Sequence, residues 1–134
     1  MSVTYLYGDL TPIEKLKSVS ADVTLTPADT GKTILLDAVG EAITLPSPTA
    51  GLSFKFLCTV TTATSNWTIV SATDVIYGSA QVAGAVVAAS AENTVNLVVA
   101  KFLPGDWVTL VSDGTNWYVE GSVVTAAGCT FTAA

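Results

Sequence analysis

The sequence contains no histidine and no arginine; its basic side chains are five lysines, Lys15, Lys17, Lys32, Lys55 and Lys101. Without histidine there is no Ser–His or Cys–His pair to activate a nucleophile. A zinc ion would have to be held by carboxylates in place of its usual nitrogen and sulfur ligands. Phosphate recognition rests on clustered Lys and Arg that displace counterions. The lysines here are scattered and face eleven carboxylates, for a net charge of −6, so nucleic acid is not an expected partner. Cysteine is scarce too, with Cys58 and Cys129 far apart and outside any CxxC pair. Cys58, alternating with apolar residues in "FKFLCTV", reads as a small buried hydrophobe. A Cys58–Cys129 bond is left open by the sequence. Membrane helices are not expected either. The uncharged run from Val75 to Ala91 is broken by Gly78, Ser79, Gln81, Gly84 and Ser90, whereas a spanning helix needs about 20 mostly apolar residues. The start, "MSVTYLYGDL", has no basic stretch ahead of an apolar one, so no secretory signal is expected. That points to cytoplasmic synthesis, where thiols stay reduced.

Motifs for chemistry are equally sparse. Asp29, Asp74, Asp106 and Asp113 fall in turns, where Asp commonly caps its own backbone. "SDGTN" lacks the alternating ligands and terminal Glu of a calcium loop. "TGKT" lacks the upstream glycine and the strand-to-helix setting of a phosphate loop. "NWT" (66–68) matches a glycosylation pattern that means little without secretion. No enzyme function, metal or cofactor is expected.

What the chain does have is apolar surface. Half of its 134 residues are hydrophobic, only 12% are charged, and the mean hydropathy is +0.57. Such a chain is expected to hide surface against partners, because large exposed apolar patches mark contact sites. The length suits one domain. Residues 1–20 read as an arm: "SVTYLYG" is an apolar-aromatic strip, and Thr11, Pro12 and Glu14 form a capping box that predicts one or two helical turns. Residues 21–134 read as a β-domain. Short β-prone runs at 23–25, 33–37, 42–45, 53–60, 67–71, 75–78, 81–88, 94–100, 106–112, 115–121 and 129–132 are separated by turn residues. This predicts an all-β fold, an antiparallel β-sandwich or barrel, jelly-roll-like, with an N-terminal arm carrying a short helix.

In "GDWVTLVSDGTNWYV" a two-residue turn at Asp113–Gly114 would set Leu110 opposite Trp117 and Val108 opposite Val119. Side chains alternate, so Val108, Leu110, Trp117 and Val119 form a core face. Trp107, Thr109, Val111, Asn116, Tyr118 and Glu120 form the other. Trp117 is thus expected to be structural, while Trp107 and Tyr118 stay open as contact residues. Elsewhere Phe54, Phe56, Cys58 and Val60 share one face, as do Val95, Leu97 and Val99.

Two segments, "LTPADTGKTILLDAVGEAITLPSPTAGLSFKFL" (25–57) and "GDWVTLVSDGTNWYV", resemble sequences that recur in tailed-bacteriophage virion proteins. Those are capsid decoration (cement) proteins and the head domains of tail fibres or spikes. The resemblance implies a β-rich domain that forms a homotrimer, binds the major capsid protein, carries no catalytic residues and sits on the capsid exterior after synthesis in the host cytoplasm. The lack of a long shaft favours decoration. On this reading Tyr5, Leu6 and Tyr7 anchor the arm on the capsid or a neighbour, with Ile13 and Leu16 as the apolar face of its helix. Equally, these residues could form an N-terminal strand completing the domain's own sheet. The alternative function is a tail-fibre or spike component recognising a host-surface glycan, with Trp107 and Tyr118 as a stacking platform.

Overall fold

A computed structural model describes residues 15–134. Its strands are β1 (Leu16–Val19), β2 (Val23–Thr24), β3 (Thr33–Leu36), β4 (Ala42–Thr44), β5 (Ser53–Cys58) and β6 (Trp67–Val70). They continue with β7 (Ile76–Val82), β8 (Ala85–Glu92), β9 (Thr94–Leu97), β10 (Trp107–Ser112), β11 (Trp117–Val123) and β12 (Cys129–Thr132). A 3-10 turn at Pro27–Asp29 is the one helical piece among the described residues. The strands form a seven-stranded sheet, β1-β3-β5-β10-β11-β7-β8, and a five-stranded sheet, β12-β9-β6-β4-β2. Between them lies one core that includes Trp67, Trp117, Phe54, Phe56 and Phe102.

The all-β sandwich is as the sequence predicts, and most strand runs match, but the run at 81–88 straddles the β7–β8 turn and Leu16–Val19 adds a strand where a helix is expected. The pairing is not purely antiparallel, as a jelly roll's would be. Five of the ten pairings are parallel: β1–β3, β3–β5, β2–β4, β4–β6 and β7–β11. The cause lies in the winding. From β1 to β6 the chain alternates between the sheets, so neighbours within a sheet are two strands apart in sequence. Parallel neighbours need a crossover connection; for the four pairs among β1 to β6 a strand of the opposite sheet supplies it, whereas β7 reaches β11 through β8, β9 and β10. Strand runs and turn residues are the same for either winding, so sequence periodicity does not separate them.

The helix expected from Pro12 onward does not extend through Leu16–Val19, which is a strand parallel to β3. Alternation explains its placement. Val19 enters the core, and Lys17 turns to the same side, where its Nζ lies 3.5 Å from Asp29. Leu16 and Ser18 point outward, and Leu16 is exposed. Thr11, Pro12, Glu14 and the contact residues Tyr5, Leu6, Tyr7 and Ile13 lie outside the described residues.

The hairpin of β10 and β11 keeps the predicted faces with a register displaced by two. Leu110 opposes Val119 and Trp117 opposes Ser112. A shift of one residue would exchange the faces; a shift of two preserves them. The turn is longer than two residues because Asp113 organises it. Its Oδ1 accepts from the amides of Thr115 and Asn116, each at 2.9 Å. Trp117 is buried against Phe54, with ring centroids 5.8 Å apart. Phe56 and Cys58 are buried as expected, whereas Val60, beyond the end of β5, is exposed. The two cysteines are buried and unbonded.

Candidate functional site

The two outward faces differ in character. On the five-stranded sheet the outer positions include Thr24, Thr44, Thr68, Thr94, Asn96 and Thr130. That is the ordinary solvated face of a half-buried sheet. The outer face of the seven-stranded sheet carries Leu16, Val86, Val111 and Tyr118, exposed to 58%, 69%, 47% and 44%. Leu35, Leu57, Tyr77 and Trp107 add half-buried apolar surface.

The register sorts this face into three rows running across the strands. At one end, Val111, Tyr118 and Tyr77 are direct neighbours on β10, β11 and β7. The middle row is polar, with Thr33, Lys55, Thr109, Glu120 and Ser79 side by side. At the other end run Leu35, Leu57, Trp107, Ser122, Gln81 and Val86.

Trp107 and Tyr118 therefore share a face, as alternation predicts, but occupy opposite ends of it. Trp107 pairs with Ser122 and Tyr118 with Val111. Four residue steps separate the two aromatic positions along the strands, about 13 Å, so one sugar ring could not stack on both. The surroundings differ as well. The Tyr118 hydroxyl donates to Asp113 Oδ2 at 3.1 Å. That contact, with the Asn116 and Thr115 amides that come first in effect, holds the Asp113 carboxyl below its usual range. Tyr118 is thereby tied to the hairpin loop.

Trp107 is placed by the residue before it. Asp106 is buried, and its carboxylate accepts from the Leu103 amide at 2.8 Å and the Val124 amide at 3.2 Å. Its carbonyl accepts from the Cys58 amide at 2.9 Å. These bonds fix the start of β10 and aim the indole outward. Lys55 Nζ lies 5.3 Å from the centre of the Trp107 ring, within cation–π range. Beside the indole is a groove of about 360 Å³ lined by Ser79, Gln81, Val86, Trp107, Glu120 and Ser122. A second depression of about 270 Å³ lies among Lys32, Thr33, Ser53, Lys55, Thr109 and Val111.

Gln81, Val86, Ser79 and Ser122 carry no motif that marks them in the sequence. Taking 81–88 as one strand hides the fact that Gln81 and Val86 face each other across a hairpin. The turn aspartates are used for backbone capping. Asp29 accepts from the Thr26 amide, Asp106 from Leu103, Asp113 from its own loop, and Asp74 from Ala134 across the fold. Among the described residues no three His, Cys, Asp or Glu side chains gather as a metal site, and no helix is long and apolar enough to cross a membrane. Neither a protein-family model, nor a curated protein, nor a solved structure matches the chain.

Proposed function

We propose that this chain is a non-catalytic virion protein that works by adhesion, a capsid decoration protein seated as a homotrimer on the outside of a tailed-bacteriophage head. The observation that carries the reading is the outer face of the seven-stranded sheet. Four exposed large apolar side chains lie there with no covering element among the described residues, a pattern that marks contact surfaces. The resemblance of residues 25–57 and 105–119 to phage virion proteins supports the choice of particle. Contact would run through the Val111, Tyr118 and Tyr77 end of the face. Residues 1–14, with Tyr5, Leu6, Tyr7 and Ile13, would reach the major capsid protein or a neighbouring copy next to Leu16.

Binding of this kind strengthens a shell by removing apolar surface from water, at roughly 25 cal/mol per Å², less the cost of ordering the partners. The test is location. Antibody against the chain, applied to virus particles purified from the source and imaged in negative stain, should label the heads. Particles stripped of the protein should lose resistance to heat and regain it on adding the protein back. Label confined to tails, or absent from particles, overturns the reading. A variant lacking residues 1–14 keeps β1 and tests the arm separately. Occupancy equal to that of the intact chain removes the arm from the contact.

A further inference from the structure

We propose that the groove beside Trp107 is a carbohydrate site that binds a neutral hexopyranose ring of a glycan. This narrows the glycan alternative to a single pocket at the Trp107 end of the face, away from Val111, Tyr118 and Tyr77; it shares only Val86 with the adhesion surface and does not depend on the capsid assignment.

The groove exists because small side chains lie between large ones. Across four adjacent strands the row reads Trp107, Ser122, Gln81, Val86. Its two apolar walls stand about 14 Å apart at their backbones, three strand spacings. Ser122 and Ser79 keep the floor low between them, and Glu120 and Gln81 bring a carboxylate and an amide to it. The volume of about 360 Å³ is at the lower end of the range found for small-molecule sites.

The chemistry of the lining selects the ligand. A pyranose has a C–H face that stacks on an aromatic ring and a rim of hydroxyls that both donate and accept. Trp107 is the one tryptophan of three that reaches solvent, since Trp67 and Trp117 are buried. Lys55, 5.3 Å from its ring centre, holds the indole in place. A ring fixed in advance loses little freedom on binding. Around it Glu120 only accepts, while Gln81, Ser79 and Ser122 both donate and accept. That set suits adjacent hydroxyl groups. Other ligand classes fit less well. An apolar peptide would bury Glu120 and Gln81 without partners, which is costly. A phosphorylated or acidic ligand would meet the Glu120 carboxylate on a chain of net charge −6.

The experiment uses the whole chain and a panel of neutral oligosaccharides of glucose, mannose and galactose, read by tryptophan fluorescence and saturation-transfer NMR. At least one member should bind saturably, with a dissociation constant on the order of 1 mM or tighter, as expected of a shallow site. Trp107→Ala and Glu120→Gln should each weaken that binding about ten-fold or more. Tyr118→Ala should leave it within about two-fold. Glu120→Gln changes an exposed side chain and keeps its shape, so its result stands even if Trp107→Ala perturbs the sheet. Failure of every neutral member to bind overturns the proposal. So does binding that survives both Trp107→Ala and Glu120→Gln, or binding restricted to sialylated or phosphorylated sugars.

Discussion

Trp67 and Trp117 are equally buried, yet their indole nitrogens meet different surroundings. Trp67 Nε1 donates to the carbonyl of Asp37 at 3.0 Å, whereas Trp117 Nε1 has no protein partner among the described residues. Replacing either ring by phenylalanine removes volume from the core. Only Trp67→Phe also strips a partner from the Asp37 carbonyl, and an orphaned buried polar group costs about 1–3 kcal/mol. Trp67→Phe should therefore destabilise the protein more than Trp117→Phe, by about 1–2 kcal/mol in urea unfolding; equal losses would show that the Asp37 bond contributes nothing. The cysteines give a second residue-level expectation. Burial pushes the Cys129 thiol up to about 12, and burial with the nearby Asp106 carboxylate pushes Cys58 up to about 11. The thiolate is the reactive form, so neither should react with a thiol-specific disulfide reagent at about pH 8 until the chain is unfolded. Prompt labelling of the native protein would contradict this.

At the level of single elements, the ends of strands are where sequence and structure part. Phe54, Phe56, Val108, Leu110, Trp117, Val119, Val95 and Leu97 all alternate inward as their spacing dictates, because one buried face fixes the strand's orientation. Turn composition is a weaker guide than alternation. Asp113–Gly114 has the composition of a two-residue turn but builds a longer loop, since Asp113 caps two later amides. Ala83–Gly84 has no Asn or Asp, yet it makes the tight β7–β8 turn, with φ of 52° and 81°. Because the β-prone run at 81–88 continues through that turn, periodicity hides the pairing of Gln81 with Val86 and the groove beside it. The strain at Ala83 offers a test, because a left-handed conformation is unfavourable for alanine and better tolerated by asparagine. Ala83→Asn should raise stability by about 0.5–1 kcal/mol in chemical denaturation. A loss instead would mean that the turn is not held in this conformation. The edge strand β1 has its own anchor. Asp29 is buried, which alone would raise its pKa. The Thr26 amide, Lys32 at 3.2 Å and Lys17 at 3.5 Å outweigh that and hold it below its ordinary 3.8. With a depressed folded-state pKa, the stabilisation is fully present above the unfolded value and is lost as pH falls through the folded one. Asp29→Asn should thus remove part of the stability lost below about pH 4. Acid unfolding curves of the two proteins that fall in parallel would deny Asp29 this role.

On the scale of the whole molecule, one sandwich presents two unlike faces, and composition anticipated the fact without locating it. A chain half apolar and 12% charged must leave apolar groups somewhere on its surface, and scattered single residues would need no explanation. Here the threonine face of the five-stranded sheet is clear of large exposed apolar side chains, Val60 and Val124 are exposed in bends beyond the strands, and the other face carries Leu16, Val86, Val111 and Tyr118. Segregation of this kind is what a contact surface requires. It also tells self-association through this face apart from nonspecific stickiness. If the face is covered by neighbouring copies, the purified protein should sediment as a closed oligomer, a trimer on the proposed reading, whose mass does not grow with concentration. The double variant Val111→Lys/Tyr118→Lys places two charges where a partner would bury them, and desolvating unpaired charge is prohibitive. It should sediment as a monomer. The variant also gives up the Tyr118–Asp113 bond and sets two lysines directly opposite each other, so its unfolding free energy per chain should fall by about 1–2 kcal/mol apart from the loss of assembly. A wild-type protein that stays monomeric at high concentration, or a double variant that assembles unchanged, would remove this face from self-association.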